Sequence, residues 1–218
     1  QAVAIAKHVD GPVKVIWSRE EDIQHDMYRP YYYDRISAGL DAAGKPVAWS
    51  HRIAGPSIVM RWGERSVSGL RAAGLANLVS TIRGVDLDAV DGAINTPYAF
   101  PTMLVEYVRV EPPGIPTAFW RGVGPTHNVF VVESFIDELA AAAKQDPVAY
   151  RKALLVSSPR AVAVLELAAS KAGWGRPLPP GYGRGVSLQH VFGTYVAQVG
   201  EGRVSGRDGR VTRVVAGV

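Results

Sequence analysis

The chain has 218 residues, of which 47% are hydrophobic and 20% charged, a composition typical of a globular protein with a sizeable core. The formal net charge is +4, but the arginines are scattered and form no basic arm, so nucleic-acid binding is not expected. The absence of cysteine excludes disulfides, a thiolate nucleophile, a cysteine-bound zinc ion and an iron–sulfur cluster bound by this chain alone.

The sequence indicates neither a membrane span nor a signal peptide. No apolar stretch reaches the roughly 18 residues that a transmembrane helix needs, and the N-terminus lacks a signal pattern. Localisation stays open between cytoplasm and periplasm. The chain starts at Gln1 within a helical pattern and stops in "RVTRVVAGV" within a strand pattern, so we expect an internal part of a larger protein.

The first half of the chain is predicted to be rich in strands. "AVAIAKHV" is typical of a helix end that stops at Gly11-Pro12, "PVKVIWS" alternates like a strand, and "REEDIQHDMYRP" is a polar segment. "YYYDRISAGLDAAGKPVAWSHRIAGPS" predicts a hairpin that turns at Gly44 and Pro46. Residues 64–82 predict helix or loop, and "MLVEYVRVEP" predicts a strand buried mostly on both faces.

Three helices are predicted next. "VVESFIDELAAAAKQ" has the apolar spacing of a helix that faces a core, at Val132, Phe135, Ile136, Leu139 and Ala143. Two further helices begin with a capping residue followed by proline, Asp146-Pro147 and Ser158-Pro159. The last of them is predicted to end at Gly173.

The final segment, "GVSLQHVFGTYVAQVGEGRVSGRDGRVTRVVAGV", predicts two or three strands with a tight turn at "GRDGR". Strands, a central block of helices and further strands indicate an α+β fold with mixed or antiparallel strands rather than a βαβ repeat. We expect three parts: a mainly strand lobe at 1–118, a loop with helices at 119–175, and strands at 176–218.

The stretch "FWRGVGPTHN" at residues 119–128 is the strongest candidate site. Gly122 and Gly124 allow positive φ and a close approach of the backbone to a ligand. A helix from about Asn128 would present its N-terminal amides to an anion, with Arg121 and His127 as further donors. The alternative is a glycine-rich connection in which Asn128 caps the helix and Arg121 lies at the surface.

Other groups of polar residues are weaker candidates. Carboxylates and a histidine could hold a divalent metal, but their spacing matches no ligand motif and favours a solvated loop: Glu20, Glu21, Asp22, His25 and Asp26. The tyrosines of "MYRPYYYDR" favour a packing face or a subunit contact. His51 and His190 lie in strand patterns and favour structural roles.

Three stretches together resemble the large subunit of the molybdenum hydroxylases, the xanthine dehydrogenase and aldehyde oxidoreductase superfamily. They are "TAFWRGVGPTHNVFVVESFIDELA", "PVKVIWSREEDIQHDMYRPYYYDRISAGLDAAGKPVAWSHRI" and "GYGRGVSLQHVFGTYVAQVGEGRV". The branch they resemble most is that of the isoquinoline 1-oxidoreductase beta subunit. The likeness implies that residues 1–218 form part of a molybdopterin-binding domain.

The resemblance also implies an activity and a set of cofactors. Such enzymes use a molybdopterin cofactor, often as the cytosine dinucleotide, to hydroxylate an N-heterocycle or oxidise an aldehyde with oxygen from water. Electrons leave through two two-iron–two-sulfur clusters. Because this chain has no cysteine, these clusters are expected on a small iron–sulfur partner. The matching cofactor-binding residues are Trp120, Arg121, Gly122, Val123, Gly124, His127 and Asn128.

The chain also departs from the family pattern. Some relatives have Phe-Arg-Gly-Phe-Gly-Gly-Pro-Gln in the loop, where this chain has Trp120, Val123 and "PTHN". The family's glycine-rich loop is expected upstream of the chain and its general-base glutamate downstream, so no catalytic residue and no metal ligand is assigned here. The alternative function is a structural or assembly module that binds no cofactor and is catalytically incomplete.

Overall fold

The computed structural model describes residues 1–60 and 85–218, and the predicted helix or loop at 64–82 lies outside the described residues. The helices are α1 (Ala2–Ala6), α2 (Arg19–His25), α3 (Leu87–Val90), α4 (Pro125–Ala142), α5 (Pro147–Leu154) and α6 (Pro159–Ala172). The strands are β1 (Tyr33–Leu40), β2 (Pro46–Gly55), β3 (Met103–Arg109), β4 (Tyr182–Val191), β5 (Thr194–Ser205) and β6 (Asp208–Gly217).

The strands form two three-stranded sheets, one before and one after the main helices. In the first sheet β2 is central, antiparallel to β1 and parallel to β3. In the second sheet β5 is central and antiparallel to both β4 and β6. The predicted α+β class with mixed and antiparallel strands is confirmed.

The helices and both sheets contribute to a single hydrophobic core. Trp49 of β2 stacks on Phe100 with ring centroids 4.7 Å apart and meets the ring of Phe135 from α4 edge-on. The second sheet packs on α6, which buries Ala161 and Leu165. Burial of these apolar side chains is the main force that joins the two sheets.

Turn and capping residues act largely as predicted. Gly44, at φ +77°, closes the hairpin between β1 and β2, and Asp146 accepts hydrogen bonds from the amides of Val148 and Ala149. Gly173 ends α6 in the left-handed conformation, φ +72°. Ser158 occupies the N-cap position of α6 as predicted, but its side chain makes no capping hydrogen bond.

Three predicted elements differ from the structure. The segment "PVKVIWS" is not a strand, and the polar segment after it forms α2, in which Ser18 and Glu21 make a reciprocal capping box. β3 is not buried on both faces, because Met103, Val105 and Tyr107 pack against the core while the alternate residues lie on the opposite face. Leu104 and Val108 on its outer face are 51% and 44% exposed.

Among the described residues, no helix is both long and apolar enough to cross a bilayer.

Candidate functional site

The loop before α4 contains a tight turn with two consecutive positive φ angles. Gly122 has φ +89° and Val123 has φ +50°, a conformation that a β-branched residue rarely adopts. The amide of Val123 donates to the carbonyl of Trp120 at 2.9 Å, and the Thr126 hydroxyl donates to the carbonyl of Arg121 at 2.7 Å. These bonds hold Trp120 and Arg121 at the outer edge of the turn.

Helix α4 begins at Pro125, three residues before the predicted start at Asn128. Proline suits the first turn of a helix, where its missing N–H would have no partner. Asn128 is therefore inside the helix and does not cap it. Its side chain is fully buried, and Nδ2 donates to the carbonyls of Ala89 at 2.9 Å and Asp91 at 2.8 Å.

Gly124 is a contact point between two helices. It is helical, with φ −56°, so positive φ does not explain the glycine. A Cβ there would overlap the carbonyl oxygen of Asp88 and lie 2.8 Å from that of Asp91. Glycine is needed here because the start of α4 lies directly against the backbone of α3.

His127 joins the same contact and also packs on Tyr32, the residue immediately before β1. Its ring stacks on Tyr32 with centroids 3.8 Å apart, and Nε2 lies 3.1 Å from the carbonyl of Ala89. The carbonyl can only accept, so Nε2 carries the hydrogen. Burial lowers the pKa of His127 from 6.5 to about 4, and the ring is neutral at pH 7.

The stability of the protein should therefore fall on acidification, in part through His127. Between pH 6.5 and about 4 its imidazole is charged in the unfolded chain and neutral in the folded one. The unfolded state then binds more protons, so the free energy of unfolding falls as pH falls. In His127→Phe, which keeps an aromatic ring against Tyr32, we expect a shallower decrease of Tm across this window. Equal profiles for the two proteins, measured by circular dichroism, would contradict this assignment.

Asp86 anchors the α3 turn on which the loop rests. It is 9% exposed, accepts from the Ser57 hydroxyl at 2.6 Å, and caps α3 by accepting from the amides of Asp88 and Ala89. Burial, followed by the charges of Asp86 and Asp91, raises the pKa of Asp88. Sequence reasoning missed Asp86, although aspartate just before the apolar run of α3 is a capping signal.

The predicted residues thus fall into two groups. Gly124, His127 and Asn128 contact α3, and their contacts in the structure are with protein groups. Trp120 is 49% exposed and Arg121 is also at the surface. The Arg121 guanidinium has no hydrogen bond or ion pair with any described residue, so this cation is available to an external anion.

The weaker candidates take structural or surface positions. The acidic residues and His25 lie on or next to the exposed helix α2, and no group of described residues has the makeup of a metal site. His51 is buried with Nε2 2.7 Å from Asp34, and His190 stacks on Tyr195 at 4.1 Å. Both contacts agree with structural roles for these histidines.

A buried ion pair, which sequence reasoning also missed, holds α4 and α5 to the second sheet. Arg151 is fully buried and its Nε donates to Glu133 Oε2 at 3.0 Å. The same Glu133 oxygen accepts from the amide of Leu188 in β4 at 2.8 Å. Burial raises the pKa of Glu133, and the charge of Arg151 opposes that rise. This pair is a structural support behind the loop-bearing helix.

Comparison with known proteins identifies sequence relatives. No protein-family model matches the chain. The beta subunit of isoquinoline 1-oxidoreductase from Brevundimonas diminuta is 27% identical over 178 residues, and a nicotinate dehydrogenase subunit from Pseudomonas putida is 30% identical over 173 residues. These matches cover 80% and 79% of this chain, but 21% and 14% of the two relatives. The chain spans about a fifth or less of the curated relatives it matches.

Two solved structures share the fold. Aldehyde oxidoreductase from Desulfovibrio gigas and quinoline 2-oxidoreductase from Pseudomonas putida 86 each superpose with a TM-score of 0.55. Each covers 79% of this chain, at 17% and 15% sequence identity, and the match spans 19% and 23% of those chains. At these identities the comparison establishes the shared fold.

Proposed function

We propose that this chain, which belongs to the molybdenum hydroxylase superfamily, supplies part of the molybdopterin site of a catalytic subunit through its loop at residues 119–128. The observation that carries the proposal is the outer edge of the loop. There an unpaired guanidinium and a half-exposed indole lie on a turn that is hydrogen-bonded to the first turn of α4 through the Thr126 hydroxyl.

The exposed residues suit an anionic, planar cofactor. The Arg121 guanidinium can donate two parallel hydrogen bonds to a phosphate group, or a single hydrogen bond to a ring carbonyl. The Trp120 ring offers a flat apolar surface, and the turn at Gly122 and Val123 brings backbone to the same edge. We propose that these four residues face the cofactor. Gly124, His127 and Asn128 would not contact the cofactor and would instead hold the turn against α3.

The family's cofactor is molybdopterin, and we propose its cytosine dinucleotide form here. When bound, it supplies the molybdenum centre that transfers oxygen from water to a carbon–hydrogen bond. We further propose that an N-heterocycle or an aldehyde is the substrate. The names of the two curated relatives, isoquinoline and nicotinate enzymes, favour the N-heterocycle. Electrons would pass to two-iron–two-sulfur clusters on a small partner subunit.

The test is the cofactor content of the protein purified with its partner subunits. In Arg121→Gln we expect molybdenum and pterin content to fall at least fivefold, because the variant loses the unpaired cation while the fold keeps its contacts. Arg35→Gln, an exposed arginine on β1, should retain wild-type content. Circular dichroism checks that both variants fold.

Two results would contradict the proposal. Wild-type molybdenum content and turnover in Arg121→Gln would remove the loop from the cofactor site. Equal losses in Arg121→Gln and Arg35→Gln would point to a general effect of charge. A wild-type protein that binds no pterin with all subunits present would instead support a structural or assembly module.

A further inference from the structure

A second feature of the chain lies at the far end of the second sheet, where α6 no longer covers it. Along β5, alternate residues share one face. On this face Ala197 and Val199 are buried against α6, Glu201 lies at the end of the helix, and Arg203 lies beyond it. The inner face of the sheet therefore continues past its helix and changes from apolar to polar.

Two arginines at the helix end, Arg184 and Arg213, are both engaged. Glu201 accepts from Arg184 at 2.8 Å and from Arg213 at 3.3 Å. Arg184 also donates to the carbonyl of Gly173, and Arg213 to that of Ala172, so these cations complete the C-terminus of α6. Each charged group in this row therefore has a partner within the fold.

The two arginines of the next row along the sheet have no such partners. Tyr182, Arg203 and Arg210 are directly opposite one another across β4, β5 and β6. Two like charges at a cross-strand position repel each other. Neither guanidinium has a hydrogen bond or an ion pair with any residue of the ranges 1–60 and 85–218. No ion pair within these ranges offsets the repulsion.

These residues line an open depression of about 480 Å³, with Ser205, Asp208 and Thr212 on the remaining sides. We propose that the depression binds a phosphate group between Arg203 and Arg210. Each guanidinium carries five N–H donors, more than one carboxylate can accept, and the three terminal oxygens of a phosphate can be shared between two such forks. Asp208 lies at the turn end of the same depression and opposes an anion.

The proposal predicts that the arginine variants and the aspartate variant change the affinity for phosphate in opposite directions. Titration of the purified protein with inorganic phosphate, and separately with ribose 5-phosphate, is followed by calorimetry at low ionic strength. In Arg203→Gln and Arg210→Gln we expect at least tenfold weaker binding with an unchanged or higher Tm, because the repulsion is relieved. Asp208→Asn should bind severalfold more tightly. Arg207→Gln, in the turn beside the depression, is the matched control and should bind within twofold of wild type.

The two ligands distinguish free phosphate from a phosphomonoester as the source of the group, and saturable binding of either supports the site. Absence of saturable binding to both would overturn it. The same conclusion would follow if Arg207→Gln lost as much affinity as Arg203→Gln, since binding would then reflect net charge alone. Weaker binding in Asp208→Asn would also contradict the site.

Discussion

Arg151→Met should lower the free energy of unfolding by about 3–5 kcal/mol, the usual cost of removing one partner of a buried ion pair. The variant keeps the length and apolar stem of the side chain but leaves the Glu133 carboxylate buried without its cation. The carbonyl of Glu133 and the carboxylate of Asp137 also lose their guanidinium donors. The measurement is urea denaturation of wild type and variant at pH 7.

Lys152→Met is the matched control for this prediction. Lys152 is the next residue of α5 and forms an ion pair with Glu166, but both side chains are about half exposed. Loss of an exposed pair costs less than about 1 kcal/mol. A cost in Arg151→Met no greater than that in Lys152→Met would show that the buried pair is unimportant for stability.

The pH dependence of the Arg151→Met variant gives a further check on the cause. Burial already raises the pKa of Glu133, and without Arg151 it should rise further. Above the unfolded pKa of about 4.3 the folded variant binds more protons than the unfolded chain, so its stability falls as pH rises. We therefore expect a smaller difference from wild type at pH 4.5 than at pH 7.

Asn128→Asp should be destabilising by about 3 kcal/mol or more, because a buried amide donor becomes a carboxylate. The Nδ2 of Asn128 donates to the carbonyls of both Ala89 and Asp91, and an aspartate would place negative oxygen against these acceptors. We expect the α4 start to separate from α3. This separation would displace Trp120 and Arg121. In the protein with its partner subunits we therefore also expect the cofactor content to fall.

Gln145→Glu makes the same amide-to-carboxylate change at the surface. Gln145 is exposed and its Nε2 donates to the carbonyl of Ala43 over 3.4 Å, so the expected cost is within about 0.5 kcal/mol. Denaturation curves of the three proteins, compared at one pH, measure the difference. Equal stability of Asn128→Asp and wild type would contradict the role of Asn128 as the link between α4 and α3.

Local signals in the sequence were sufficient for most of the secondary structure. The capping of α5 by Asp146, the end of α6 at Gly173 and the hairpin turn at Gly44 depend on residues next to each other in the chain. Such signals act through backbone hydrogen bonds and φ preferences that need no distant partner. The spacing of apolar residues in α4 likewise predicts which face of the helix is buried.

Predictions that depended on distant neighbours were less reliable. Leu104 and Val108 look like core residues, but they lie on the face of β3 opposite the core and are exposed. Asn128 has the residue type of a helix cap, whereas its partners are carbonyls some 37–39 positions earlier in the chain. Residue type shows that a polar group needs partners, and only the fold brings those partners to it.

The sequence by itself determined the α+β class, the family resemblance and the position of the "FWRGVGPTHN" loop, because motif and periodicity are properties of neighbouring residues. Only the tertiary structure decided which residues of that loop pack against the protein and which remain at the surface. Gly124, His127 and Asn128 are directed to α3, whereas Trp120 and Arg121 remain at the surface. The physical reason is burial: a donor that loses water must find an acceptor in the fold, and a cation that keeps water stays available to a ligand.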